Sequence, residues 1–250
     1  MTAALDIAGL TVEYPMPDAA PFVAVRDLSL TVEPGEIHAL VGESGAGKST
    51  VGNCVLGLLE APGRIASGTI AIAGQPIAAD TARNDGTRPG RDIGAIFQDP
   101  MTSLNPLFTI EAQLTETMRH HLGLTAAAAR ARALELLQAV EIPEPERRLR
   151  QFPHQLSGGQ RQRVVIAAAL SCGPSLLIAD EPTTALDVSV QATILDLIRG
   201  LARDRHLGVL LVTHNMGVVA QIADRVTVMR HGERVETGPT DDVLRRPRAP

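Results

Sequence analysis

The chain alternates between short apolar runs of strand length and longer segments in which apolar residues recur at helical spacing. The apolar runs predict strands over 5–14, 23–33, 36–41, 68–74, 92–97, 176–180 and 208–213. A further run predicts a hairpin over 225–238 that turns at His231 and Gly232. The periodic segments predict helices over 48–59, 109–122, 125–141 and 161–170. Strands that alternate with helices in this way indicate the α/β class.

Two segments interrupt the pattern. Residues 15–21 contain three prolines and are predicted to form a flexible insert, and residues 144–150 (EPERRLR) are predicted to form a solvated charged turn. No apolar run approaches the ~18 residues that a membrane span requires. The N-terminus carries Asp6 and has no basic region of the kind that begins a signal peptide. We therefore expect the chain to be made and to remain in the cytosol.

Composition limits the class of protein further. The 250 residues are 44% hydrophobic and 20% charged, which is typical of a globular protein with one large domain or two small ones. The two cysteines, Cys54 and Cys172, are too few for a disulfide framework or a zinc cluster, and we expect both to be buried thiols. A net charge of −5 argues against a nucleic-acid partner, because such proteins usually carry a basic excess.

The basic residues are 22 arginines and one lysine, Lys48. That lysine belongs to residues 42–49, which fit the phosphate-binding pattern G-x-x-x-x-G-K-[ST] and join the predicted strand 36–41 to the predicted helix 48–59. In such a loop the backbone N–H groups and the helix N-terminus bind phosphate, and the lysine reaches the outer phosphates. The predicted nucleotide-binding residues of this phosphate loop are Gly42, Ser44, Gly45, Ala46, Gly47, Lys48, Ser49 and Thr50.

A second motif precedes the predicted helix 161–170. It reads LSGGQ over residues 156–160, where Ser157 is a suitable N-cap and the two glycines expose backbone N–H groups to an anion. These five residues match the signature motif of the ATP-binding cassette (ABC) ATPases, and the chain resembles that family from about residue 5 to residue 244. The resemblance implies that ATP and Mg²⁺ are the cofactors.

The resemblance also implies roles for residues outside the phosphate loop. Glu181 is similar to the general base that polarises the attacking water, and Lys48, Gln98 and His214 are expected to assist catalysis. The expected Mg²⁺ ligands are Ser49, Gln98 and Asp180. The further nucleotide contacts that the family would place here are Tyr14 against adenine, with Phe22 as the nearest substitute, and Gln98, Ser157, Gly158, Gly159, Gln160, Asp187 and His214.

The family also implies an architecture. We expect residues 1–250 to form a single ABC ATPase domain with a RecA-like P-loop NTPase core, an antiparallel β portion and a helical subdomain. Residues 1–98 and 161–250 would form the nucleotide-binding core lobe, and 99–160 the helical lobe that carries the signature motif. Two such chains, identical or related, would pair head to tail so that the signature motif of one covers the ATP bound by the other.

Residues 97–106 (FQDPMTSLNP) and 184–191 (TALDVSVQ) narrow the resemblance to the importers of dipeptides, oligopeptides and nickel. That group implies two transmembrane permease subunits, an extracytoplasmic substrate-binding protein that acts indirectly, and a peripheral position on the cytoplasmic face of the cell membrane. The alternative is a non-transport ABC ATPase that acts on DNA or the ribosome. Those proteins usually carry a long coiled coil or two cassettes in one chain, and neither is visible in this sequence.

Overall fold

The computed structural model describes residues 2–77, 89–98, 103–183 and 187–248. Its strands, in chain order β1 to β10, are Leu5–Met16, Ala19–Val32, Ile37–Gly42, Arg64–Ile72, Gln75–Ile77, Ile93–Ile96, Leu176–Asp180, Gly208–Thr213, Arg225–Arg230 and Glu233–Pro239. Its helices, in chain order α1 to α8, are Lys48–Leu56, Ile110–Leu122, Ala126–Ala139, Pro145–Leu149, Gly158–Ala169, Val188–Asp204, Met216–Ile222 and Thr240–Arg245.

The larger sheet has six strands in the order β10-β9-β3-β8-β7-β6. All neighbouring pairs in it are parallel except β9 and β10, which form the hairpin predicted from the sequence. Every residue of β8 is buried, as expected for a parallel strand covered on both faces. The carboxyl ends of β3, β7 and β8 therefore lie side by side at one edge, where open α/β sheets bind ligands.

The smaller sheet is antiparallel, in the order β2-β1-β4-β5. Its inner face packs on α1 and on one face of the larger sheet, and residues such as Leu10, Val51 and Leu210 share that core. The opposite face of the larger sheet packs on α2 to α6, with Leu137, Ile166 and Leu211 in a second core. The α/β class with an antiparallel β portion and a helical portion is thereby confirmed.

Several boundaries differ from the predictions. The flexible insert predicted over 15–21 is instead a continuous hairpin, because Met16 pairs with Ala19 and Asp18 takes the left-handed conformation (φ 55°) that the tight turn needs. Helix α1 ends at Leu56 rather than at residue 59, because Gly57, its C-cap residue, adopts a left-handed conformation.

The prediction of a solvated charged turn over 144–150 was also wrong. The segment forms helix α4, which has Pro145 at its start and an exposed ion pair between Glu144 and Arg147. Its Leu149 is fully buried in the helical core. One apolar side chain among six polar or proline neighbours is too weak a signal to predict this helix, although its burial holds the helix against the core.

Candidate functional site

The phosphate loop joins the end of β3 to the start of α1. Gly45 and Gly47 adopt left-handed φ values of 81° and 95°, which favour glycine. A Cβ on Gly47 would lie 2.5 Å from the carbonyl oxygen of Ala24, so the loop passes too close to β2 for any side chain at this position. The pattern of glycines in the sequence therefore has a local steric cause as well as a role in exposing backbone N–H groups.

The Lys48 ammonium group is folded back onto this loop. Its Nζ donates to the carbonyl oxygens of Gly42 at 2.8 Å and Glu43 at 2.9 Å, and the residue is only 8% exposed. These bonds hold the positive charge inside the loop curve, next to the space that a phosphate would occupy. Ser49, the next residue, is exposed at the mouth of the same loop.

Two carboxylates stand at the end of β7, as the sequence predicts. Burial is the main cause of a raised pKa at Asp180; the neighbouring Glu181 charge raises that pKa further, and Lys48 opposes the shift. Glu181 has a left-handed φ of 47°, which is unfavourable for a residue with a side chain. Its N–H donates to the carbonyl of Val212 on β8 at 2.9 Å, which helps to hold this conformation.

The Glu181 carboxylate contacts two other residues predicted for the site. Nδ1 of His214 lies 2.5 Å from Oε1, and the amide of Gln98 lies 3.4 Å from Oε2. Because an ionised carboxylate only accepts hydrogen bonds, Nδ1 of His214 is the donor. In a neutral ring this leaves Nε2 as an acceptor. Gln98 and His214 follow β6 and β8, so neighbouring strand ends bring all three side chains together.

A single cavity of about 760 Å³ unites these parts. The predicted site residues that line it are Gly42, Ser44, Gly45, Lys48, Ser49, Gln98, Asp180, Glu181 and His214. Four further residues line it that the sequence reasoning missed, namely Val41, Glu43, Met216 and Val228. Glu43 occupies a variable position of the phosphate-loop motif, whereas Val41, Met216 and Val228 belong to no motif and have no sequence signal of their own.

The signature motif does not line this cavity. Ser157 caps α5 by accepting from the N–H of Gln160 at 3.3 Å, and the side-chain oxygen of Gln160 accepts from the N–H of Ser157 at 3.1 Å, so the two form a capping box. Ser157 and Gly158 are exposed to solvent. The predicted capped N-terminus is thus present, facing outward from its own chain.

Five other predicted nucleotide contacts do not line the cavity, namely Ala46, Gly47 and Thr50 of the phosphate loop, Tyr14 and Asp187. Tyr14 is half-buried and packs on the core beside α1, and a Cβ on Gly63 would lie 2.9 Å from its ring. Phe22, the substitute suggested by the sequence, pairs with Tyr14 in the hairpin and is 60% exposed. Asp187 caps α6 by accepting from the N–H of Val190 at 2.9 Å, while residues 184–186 of the predicted motif around it lie outside the described residues.

The fold and the cavity define a P-loop nucleotide-binding protein. The ABC transporter family profile matches residues 25–184, and the chain therefore belongs to the ABC transporter family. It is an ATPase of the cassette class, as the resemblance implied.

Three relatives are similar over nearly the whole chain. A Brucella melitensis protein with the provisional name of peptide import ATP-binding protein is 50% identical over 252 residues, which cover 98% of this chain and 74% of the relative. The oligopeptide transport ATP-binding protein AmiE of Streptococcus pneumoniae is 47% identical over 96% of this chain and 68% of its own length. The dipeptide transport ATP-binding protein DppD of Haemophilus influenzae is 43% identical over 99% and 75%.

Solved structures agree with the fold. CbiO1 of Clostridium perfringens, part of an ABC transporter complex, superposes with a TM-score of 0.82 at 26% identity, over 98% of this chain and 92% of its own. The ATP-binding cassette MJ0796, as a dimer bound to ADP and phosphate, superposes with a TM-score of 0.76 at 30% identity, over 94% of this chain and 98% of its own.

Proposed function

We propose that this chain hydrolyses ATP to drive the import of dipeptides or oligopeptides through a membrane channel formed by other chains. The observation that carries the proposal is the single cavity in which Lys48, Asp180, Glu181 and His214 meet. The named relatives are peptide, oligopeptide and dipeptide transport subunits, which favours peptides over nickel as cargo. The same names favour transport over the DNA or ribosome alternative.

In this proposal each polar side chain has a distinct task. The Lys48 ammonium group exchanges its hydrogen bonds to the loop carbonyls for hydrogen bonds to the outer phosphates of ATP. Glu181 accepts a proton from the attacking water. A neutral His214 bound to Glu181 through Nδ1 cannot also donate from Nε2 to a phosphate. Donation to the γ-phosphate therefore requires His214 to gain a proton or to leave Glu181, and leaving would free the carboxylate for water.

The residues at the cavity fit a Mg²⁺ ion. Ser49, Gln98 and Asp180 offer a hydroxyl, an amide oxygen and a carboxylate at the mouth of the phosphate loop, and Mg²⁺ is usually bound by one or two carboxylates together with phosphates. Burial raises the pKa of Asp180, and a cation beside the carboxylate would oppose this shift by favouring the ionised form. When bound, the ion would neutralise charge on the β- and γ-phosphate oxygens.

The outward-facing signature motif supports a head-to-tail dimer. Ser157, Gly158, Gly159 and Gln160 form a helix N-terminus that is not used by the cavity of their own chain. In the dimer they would cover the γ-phosphate held by Lys48 of a second cassette, identical or related. Hydrolysis would remove that bridge and open the dimer. We assign 99–160 to the helical lobe that presents the motif, and 1–98 with 161–250 to the core lobe.

An apolar groove provides a surface for the membrane subunits. It has a volume of about 540 Å³ and is lined largely by apolar residues on or just after α1, β6 and α5, including Leu58, Phe97 and Val165. Leu58 and Phe97 are 50% and 44% exposed. The described residues contain no helix that could cross a membrane. We therefore assign the groove to a cytoplasmic segment of a permease subunit, on the inner face of the cell membrane.

The groove assignment has a direct test. A variant with Leu58→Ser and Phe97→Ser, two exposed residues that line the groove, should keep its ATP affinity and lose most of its co-purification with the permease, because only the docking surface changes. Val235→Ser is the matched control, since Val235 is 40% exposed on β10, outside the groove. Equal permease recovery by the double variant and the control would contradict the assignment.

The transport function is tested by purifying tagged full-length protein from gently solubilised native membranes and identifying its partners by mass spectrometry. Two polytopic membrane subunits are expected, together with a second cassette if the pair is heteromeric. ATPase activity of the recovered complex should rise when a peptide-loaded extracytoplasmic binding protein is added. Recovery of ribosomes or DNA-maintenance proteins instead would overturn the transporter while leaving the ATPase in place.

A further inference from the structure

One buried amide outside the cavity contacts the loop that carries Glu181. Gln162 lies in the second turn of α5 and is 0% exposed. Its Nε2 donates to the carbonyl oxygen of Pro182 at 2.6 Å. Its Oε1 is also buried and has no hydrogen-bond partner among the residues that the structure describes. No motif identified from the sequence includes this residue.

The position of Pro182 makes this contact relevant to the chemistry. Pro182 directly follows Glu181, whose backbone is in the unfavourable left-handed conformation. Such a conformation persists only where the surroundings hold it. The N–H of Glu181 is held by the Val212 carbonyl of β8, and the carbonyl of the next residue is held by Gln162. The backbone is therefore held by one hydrogen bond at the N–H of Glu181 and by another at the carbonyl of Pro182. Together these two bonds fix the position of the Glu181 Cα, from which the side chain extends.

The unsatisfied oxygen indicates that Gln162 is not present for stability alone. Burying an amide oxygen without a partner is unfavourable, and an apolar side chain of the same shape would avoid that cost. The Nε2 bond to Pro182 is what such a side chain would lose. The contact with the loop that carries Glu181 is therefore the interaction that this buried polar group supplies.

The helix that carries Gln162 begins at the signature motif. Between Gly158 at its start and Gln162 there is one turn, so a displacement of the motif moves the amide with it. The same helix end packs closely on α6, because a Cβ on Gly159 would lie 2.9 Å from a methyl carbon of Val190. The motif end of α5 therefore has rigid contacts to the loop and to the helix that follow Glu181.

We propose that Gln162 is a positioning residue that fixes Glu181 relative to the signature helix, so that seating of the signature motif on a partner's nucleotide aligns Glu181 for water activation. This inference rests on the proposed role of Glu181 as the general base. Gln162 does not line the nucleotide cavity and acts through the Pro182 carbonyl.

The test is Gln162→Met, which keeps the length and approximate volume of the side chain and removes the donor. ATP turnover should fall at least tenfold, while the KM for ATP stays within twofold and the thermal unfolding midpoint is unchanged or higher. A purely structural role would lower the midpoint instead. Val164→Ala is the matched control, because Val164 is fully buried on the same helix and should lower the midpoint with near-normal turnover.

A double-mutant cycle with Glu181→Gln tests the route of the effect. If Gln162 acts by positioning Glu181, adding Gln162→Met to Glu181→Gln should change the residual rate by less than twofold. Normal turnover of a folded Gln162→Met protein would overturn the proposal, as would full additivity in the cycle. Failure of the general-base role would show differently, since Glu181→Gln would then itself retain near-normal turnover.

Discussion

At the scale of single residues, two histidines differ in role because their surroundings differ. His214 is exposed and bonded to Glu181 at the mouth of the cavity, whereas His38 is buried on β3. The Nδ1–H of His38 donates to the Thr31 carbonyl at 2.9 Å, which leaves Nε2 to accept from the Thr227 hydroxyl at 2.8 Å. Burial is the main cause that lowers the pKa of His38 to about 4.

The lowered pKa of His38 makes stability depend on pH. Between about 6.5 and about 4 the unfolded chain binds a proton that the folded protein excludes, so the free energy of unfolding should fall as the pH falls through this window. The contribution of His38 amounts to about 3 kcal/mol at full effect. Denaturant titrations at several pH values should show this loss in the wild type, and His38→Gln should reduce the slope. An unchanged slope in that variant would assign the pH dependence to other groups.

Lys48 provides the second test at this scale. Lys48→Ala should weaken ATP binding by about 10- to 100-fold, because a charge-assisted hydrogen bond contributes roughly 1.5–3 kcal/mol. Lys48→Arg is the informative companion, since it keeps the charge while its planar fork does not match the two carbonyls that now hold the ammonium group. Calorimetry with ATP measures both variants. Wild-type affinity in the alanine variant would refute the phosphate-loop assignment.

At the scale of elements, motifs with local chemistry were predictable and tertiary contacts were not. The phosphate loop and the hairpin at His231 follow from glycine and turn residues that act within a few positions. Helix α4 was missed because one buried side chain, Leu149, decides it. Helices α6, α7 and α8 were not predicted, although Asp187 and Asn215 cap the first two with side-chain bonds.

The packing of α5 on α6 gives a prediction for these elements. Gly159→Ala should lower the free energy of unfolding by about 1–3 kcal/mol, because its methyl group would meet Val190 at 2.9 Å. Adding Val190→Ala should restore most of that loss by removing the obstructing methyl groups. Thermal unfolding of the two single variants and the double variant measures this coupling. A double variant no more stable than Gly159→Ala would show that the two helices do not clash there.

At the scale of the whole molecule, the resemblance to the cassette family predicted which residues meet, and the structure brings them together at adjacent strand ends on one sheet edge. Gln98 and His214 follow parallel strands and Asp180 ends one, and the order β3-β8-β7-β6 places them around the phosphate loop. The sequence could not predict the strand order itself, nor the contact that Gln162 makes with the loop after Glu181. Those depend on how distant segments pack, which short motifs do not encode.

The dimer makes a prediction at this scale. Glu181→Gln should bind Mg-ATP with near-normal affinity and hydrolyse it at least 100-fold more slowly, because only the water-activating group is lost. The bridging γ-phosphate would then persist, and light scattering should show a dimer that forms with Mg-ATP and not with Mg-ADP. The wild type should form it only transiently. A variant that turns over normally, or stays monomeric with bound Mg-ATP, would contradict the mechanism.

The pairing of β3 has a consequence during synthesis. Ile37 pairs with Val209, so the strand that leads into the phosphate loop waits for a neighbour more than 170 residues later in the chain. At translation rates of about 5–20 residues per second, this apolar strand remains unpaired for on the order of 10–30 s. Its other neighbour, β9, emerges later still. The strand that leads into the phosphate loop therefore gains its parallel neighbour β8 only after residue 213 has been made, and chaperones have that interval in which to protect the exposed strand.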